Sequence, residues 1–191
     1  MDPPELDRYT GVIFTSENAV RAAHRVARPI PAYCVGQRTA RAATAAGFKA
    51  KAIGGNAVAL EEELLKRGPK GPLLHMRGRF QTGNLSEDLT EKGLLTYSAI
   101  VYDQPELPLT DEARLVLGSE GPLILPVFST RSGLLLRDQS VPIHAPLYLA
   151  TMSGKIADVW RDIPAKARAV SARPDAESMI KIIAQLADGL R

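Results

Sequence analysis

Six short segments hold most of the side chains that could bind or transform a ligand. They are Thr15-Ser16, Gly36-Gln37-Arg38-Thr39, Gly54-Gly55-Asn56, Arg77-Gly78-Arg79, Ser129-Thr130 and Thr151-Met152-Ser153. Each follows a short apolar run, and several precede a stretch with helical periodicity. Hydroxyls, guanidinium groups and the free N–H groups of a helix start all donate to anions. One such cap is ordinary, because Ser and Thr cap helices everywhere. Six of them at matching strand ends would line a cleft with donors, suited to a ligand that carries several carboxylates or phosphates.

The familiar catalytic motifs are missing. The sequence has no GxxxxGK[ST], no GxGxxG and no GxSxG. His24, His75 and His144 are scattered without metal-ligand spacing, and a single cysteine leaves no cysteine-rich zinc site. Each histidine reads as a surface or edge residue. Cys34 lies in an apolar run and reads as core. Glu61-Glu62-Glu63 reads as a solvated helix face, and Ile156, Val159 and Trp160 read as core. Tyr102 ends a β-prone run at a domain boundary. Two readings stay open for it: a phenol facing a cleft, or a packing tyrosine with its hydroxyl satisfied.

These residues need a frame to hold them. Apolar runs predict strands at 11–14, 32–35, 49–53, 73–76, 96–102, 123–128, 147–150 and 167–170. Helices are predicted from near Ser16, over 39–46, 57–65, 85–92, 111–117, 153–160 and 177–186, with an apolar run at 134–136 after Gly133. Gly47 and Gly93 sit where C-caps belong. Strands alternating with helices imply an α/β fold with parallel sheets. In such sheets ligands collect beyond the carboxyl ends of the strands, where all six segments fall.

The pattern also recurs. Phe14-Thr15-Ser16 with Ala19-Val20 parallels Phe128-Ser129-Thr130 with Gly133-Leu134, and Ala40, Lys49, Ala50 and Ala52 parallel Ala157, Lys166, Ala167 and Ala169. This predicts two related α/β lobes, 1–102 and 103–191, joined by a short β connector with a cleft between them. Pro105 and Pro108 bracket the join.

Composition narrows the partners. Charged residues make up 24% of the 191, and the net charge is only +3. That is too mild for a nucleic-acid binder, although a pI near 9.1 suits an anionic small molecule. One cysteine excludes an intramolecular disulfide and fits a reducing, cytoplasmic setting. No apolar run approaches the ~18 residues of a membrane span. The acidic start Met1-Asp2-Pro3-Pro4-Glu5 does not read as a signal peptide.

In order along the chain, several segments together resemble the uroporphyrinogen-III synthase family. They are Val12-Ile13-Phe14-Thr15-Ser16-Glu17-Asn18-Ala19-Val20, Tyr33-Cys34-Val35-Gly36-Gln37-Arg38-Thr39-Ala40 with Gly47-Phe48, and Leu74-His75-Met76-Arg77-Gly78. Leu85, Leu89 and Gly93, Val101-Tyr102, and Leu125-Pro126-Val127-Phe128-Ser129-Thr130-Arg131-Ser132-Gly133 complete the set. The resemblance implies two α/β lobes with the active site in the cleft, no metal and no organic cofactor. It implies a cyclising lyase: hydroxymethylbilane loses its terminal hydroxyl as water, and the azafulvene cation is attacked through a spiro intermediate. Ring D is thereby inverted before closure. The family's cleft tyrosine falls on Tyr102, which would protonate or hydrogen-bond the departing hydroxyl. The Thr of its Val-Gly-x-x-Thr-Ala segment falls on Thr39. Thr15, Ser16, Ser129 and the backbone around Gly36 and Ser153 would hold acetate and propionate groups, with Arg77 and Arg79 as carboxylate partners.

Three departures accompany the resemblance. The family's opening strand–helix–strand unit with its Thr-Arg-Pro segment has no counterpart before the strand ending at Phe14, so the second lobe should lack a strand, a helix and an arginine. Ile156 stands where a Thr is frequent, and Lys155 and Trp160 are atypical. A monomer is expected, or a dimer if the shortened lobe completes its sheet by pairing. The competing reading is an impaired module that binds a tetrapyrrole or another anion without turnover. A response-regulator-like domain is disfavoured, because no acidic cluster follows an early strand.

Overall fold

A computed structural model describes residues 4–23, 29–139 and 142–190. The chain divides into two compact units, Met1–Pro105 and Glu106–Arg191.

In the first unit the apolar runs form five strands: β1 (Gly11–Phe14), β2 (Pro31–Cys34), β3 (Lys49–Ala52), β4 (Leu73–Gly78) and β5 (Thr96–Tyr102). Helices α1 (Glu17–Ala22), α2 (Gln37–Ala45), α3 (Ala57–Arg67) and α4 (Leu85–Glu91) alternate with them. The strands lie in the order β3-β2-β1-β4-β5, every pair parallel. Parallel strands need crossovers, and each helix here supplies one.

Side-chain alternation splits the core in two. Val12, Phe14, Cys34, Leu74 and Met76 point to one face, with Ala40, Ala43 and Phe48. Ile13 and Leu73 point to the other, against Leu60, Leu64, Leu85 and Leu89 of α3 and α4. Val12, Ile13 and Phe14 have no exposed surface, and burying each contributes roughly 1.5–3 kcal/mol. The Phe14 and Phe48 rings meet edge to face at 5.1 Å. Burial pushes the Cys34 thiol up to about 12, so it stays a protonated core residue.

The second unit begins with α5 (Asp111–Leu117) and has three parallel strands, β6 (Leu123–Val127), β7 (Leu147–Thr151) and β8 (Ala167–Val170), in that spatial order. Helices α6 (Thr130–Asp138), α7 (Gly154–Val159) and α8 (Ala176–Asp188) follow them in turn. Val127, Leu147, Leu149, Ile156 and Trp160 build one core. Ala150, Met179 and Ile182 build the other under α8. Trp160 packs so closely on α6 that a Cβ at Gly133 would lie 2.8 Å from its indole nitrogen.

The first three strand–helix pairs of each unit follow the same order, but the sequence match is one residue out at the first strand. Val35 N–H donates to Phe14 O, and Met152 N–H donates to Val127 O, both at 3.1 Å. Phe14 therefore corresponds to Val127, and the helix cap Ser16 to Ser129. Phe128 has left the strand and is 53% exposed, whereas Phe14 is buried. The remaining boundaries differ from expectation by a residue or two at helix and strand ends, where caps rather than periodicity decide the limit.

Candidate active site

The site begins where the strands of the first sheet end. Ser16 caps α1 by accepting from Asn18 N–H at 3.1 Å. Thr15 precedes it, two residues beyond Ile13 and so on the α3/α4 face of the sheet. Strand β4 carries a register shift between Arg77 and Gly78, opposite Ile100 and Tyr102 of β5. A bulge of this kind turns the side chains at a strand end. It brings the Tyr102 ring over Gly78, where an added Cβ would lie 2.7 and 2.8 Å from ring carbons.

Thr15, Ser16, His75, Arg77, Gly78 and Tyr102 line one recess of about 170 Å³, with Ala57, Leu85 and the loop residues Phe80, Gln81 and Thr82. Arg77 is held within it: its Nε donates to Ser98 Oγ at 2.8 Å and its Nη1 to Gly78 O at 3.0 Å. Such anchoring reduces the entropy lost when a guanidinium meets a carboxylate. The recess therefore offers hydroxyl, phenol and guanidinium donors around a buried imidazole.

His75 corrects the sequence expectation of a surface or edge histidine. It is 2% exposed and belongs to the row of Ile13 and Leu73, on a strand flanked by β1 and β5. Its Nε2 lies 3.2 Å from Thr15 Oγ1 and its Nδ1 lies 3.1 Å from Ser86 Oγ, on α4. Burial first, and the Arg77 charge second, push the ring down to about 4, so it is neutral at physiological pH. His144 is exposed, and His24 lies outside the described residues.

Of the other residues singled out in the sequence, Gly36, Thr39 and Arg79 of the first unit are not among those that line this recess. Gly36 heads α2, and a Cβ there would meet nothing within 4 Å. Thr39, in the first turn of α2, is buried at 6% exposure. Arg79 is drawn to Asp103 at 2.9 Å, both half-exposed. Arg38 is tied to Glu17 at 2.6 Å, which links the starts of α1 and α2. In the second unit Ser129 caps α6, its Oγ accepting from Ser132 N–H at 3.0 Å, and Ser153 heads α7 without a side-chain cap bond.

The family model for uroporphyrinogen-III synthase HemD matches residues 2–181. The chain belongs to the uroporphyrinogen-III synthase family. Its fold is similar to the crystal structure of uroporphyrinogen-III synthetase from Helicobacter pylori, with a TM-score of 0.74 and 20% identity, over 96% of this chain and 86% of that one. It is also similar to a mutant uroporphyrinogen III synthase from the extremely thermophilic bacterium Thermus thermophilus, with a TM-score of 0.51 and 17% identity, over 95% and 79% of the two chains. At such identities the likeness is one of fold. No curated protein matches the sequence significantly.

The activity of the uroporphyrinogen-III synthase family is that of a cyclising lyase in tetrapyrrole biosynthesis, acting on hydroxymethylbilane. Among the described residues no helix is long and apolar enough to cross a membrane.

Neither His75 and Ser86 nor the 80–82 loop stands out in the sequence as part of a site. One signal was present: His75 interrupts the apolar run Leu73-Leu74-His75-Met76. A histidine in a buried strand needs two hydrogen-bond partners, which the run alone does not reveal.

Proposed function

We propose that hydroxymethylbilane is cyclised at the carboxyl edge of the first sheet, with Tyr102 as the group that hydrogen-bonds or protonates the departing hydroxyl. The observation that carries this reading is the shared recess: the Tyr102 ring, Thr15, Ser16 and Arg77 line the same small space. The phenol O–H is a donor. The substrate's C–O bond breaks, the hydroxyl leaves with a proton as water, and the azafulvene cation remains. The pyrrole carbon at the substituted end of ring D then attacks it, giving the spiro intermediate. The original bond between ring D and its bridging carbon then breaks, the free α-carbon of ring D bonds to that bridging carbon, and its hydrogen leaves as a proton, so that ring D ends inverted and the net loss is one water.

The chain's main contribution is orientation. Free substrate already closes, but to the uninverted type I isomer, so holding reactive ends in one geometry supplies the selectivity. Thr15, Ser16, Ser129, the Thr39 hydroxyl and the backbone at Gly36 and Ser153 hold acetate and propionate groups, with Arg77 and Arg79 as ionic partners. Helices α2 and α6 have nine residues each, enough for their first-turn N–H groups to favour carboxylates. No metal or cofactor takes part in this reading. It describes a monomeric cytoplasmic enzyme, which the lone, buried Cys34 fits.

The test supplies fresh hydroxymethylbilane, oxidises the products and separates the porphyrin isomers. A predominance of type III is expected. Type I alone with retained substrate binding would instead mark a binding module, and type I without binding would dismiss both readings.

A further inference from the structure

Three side chains are linked by hydrogen bonds, Ser86 of α4 to His75 and His75 to Thr15, and the last two line the recess. Ser86 is 4% exposed and His75 is 2% exposed. A neutral imidazole has one N–H and one bare nitrogen. A serine hydroxyl has one hydrogen, and a buried one must place it on an acceptor. Among the described residues the acceptor within reach of Ser86 Oγ is His75 Nδ1, at 3.1 Å. If Nδ1 carried the proton instead, the Ser86 hydrogen would have no acceptor among the described residues, a cost of about 1–3 kcal/mol. Ser86 therefore donates to Nδ1, and the ring proton sits on Nε2. Nε2–H then donates to Thr15 Oγ1 at 3.2 Å. Thr15 makes no other hydrogen bond among the described residues, so its own O–H is left to face the recess.

We infer that His75 is a positioning residue: the Ser86–His75–Thr15 chain fixes the Thr15 hydroxyl as a one-way hydrogen-bond donor to a substrate carboxylate. The part concerning substrate rests on the function proposed above. The proton order does not, because it follows from burial and distance alone. The direction suits a polyanion. With the opposite order, Thr15 would donate inward and present only lone pairs, which repel a carboxylate.

The first test reads the tautomer by nitrogen-15 NMR of histidine-labelled, substrate-free protein, with the His75 signals assigned from the His75→Gln spectrum. A protonated Nε2 and a bare Nδ1 are expected. A protonated Nδ1 would overturn the chain whatever the isomer assay shows, whereas a failure to make type III would count against the functional reading and leave the tautomer to decide the proton order. The second test is kinetic. Ser86→Ala removes the group that orders the protons without touching substrate. It should raise KM roughly tenfold, as for loss of a hydrogen bond to a charged group, with kcat nearly unchanged. Thr15→Val should do the same, and the double variant should lose no more than either single one. Losses that multiply in the double variant, or a fall in kcat at constant KM, would contradict the assignment. Far-ultraviolet circular dichroism of each variant checks that it is folded.

Discussion

His75 shows how one residue couples stability to the site. Its ring is pushed from an ordinary 6.5 down to about 4, chiefly by burial. Between those values the unfolded chain takes up a proton that the folded protein refuses. The contribution is therefore complete above about pH 6.5 and is lost as the pH falls toward 4, in total on the order of 3 kcal/mol. Denaturant midpoints followed by circular dichroism from pH 7.5 to 4.5 should fall more steeply for wild type than for His75→Leu, whose side chain has nothing to titrate. Parallel slopes would show that the ring is not buried as described. Little of this was visible in the sequence. Thr15, Ser16, Arg77 and Tyr102 are legible as strand-end residues because each follows an apolar run. The role of His75 depends on Ser86, and that contact spans the gap between a strand and a helix, which no periodicity records.

At the scale of elements, the strands and helices were legible because apolar runs and caps such as Ser16 speak locally. The shift in β4 was not, since a bulge moves register by one residue and leaves composition untouched. Its consequence is mechanical. Gly78 lies under the Tyr102 ring because no side chain fits there. Gly78→Ala should force the ring aside, cost roughly 1–3 kcal/mol as an overpacked contact, and slow type III formation as the phenol leaves its position. Denaturant midpoint and initial rate measured on the same preparation check both halves. A rate equal to wild type would mean that the ring's seat on β4 is unimportant to the chemistry. Arg79 follows the recess-lining Gly78 in sequence, and its half-exposed guanidinium pairs with Asp103 at 2.9 Å, so a substrate carboxylate would share it with Asp103.

At the scale of the whole molecule, each unit closes its own core around a parallel sheet, and the recurring order of strands and caps made that division legible. The sequence match is one residue out at Phe128 because an aromatic side chain looks like a strand's end, whereas the hydrogen bond from Met152 N–H to Val127 O marks the end at Val127. Composition narrowed the expected partners without naming one; the ordered set of segments carried the family. The proposed function stands or falls with turnover at the carboxyl edge of the first sheet. Strand β5 offers its own control, since Tyr97 near its amino end is 51% exposed and meets Tyr9 edge to face, while Tyr102 at its carboxyl end lines the recess. The decisive quantity is the rate of type III formation for Tyr102→Phe and Tyr97→Phe beside wild type. A loss of roughly a hundredfold is expected for Tyr102→Phe, within the range of a general acid, and a wild-type rate for Tyr97→Phe. Equal rates for all three proteins would place turnover somewhere other than this recess.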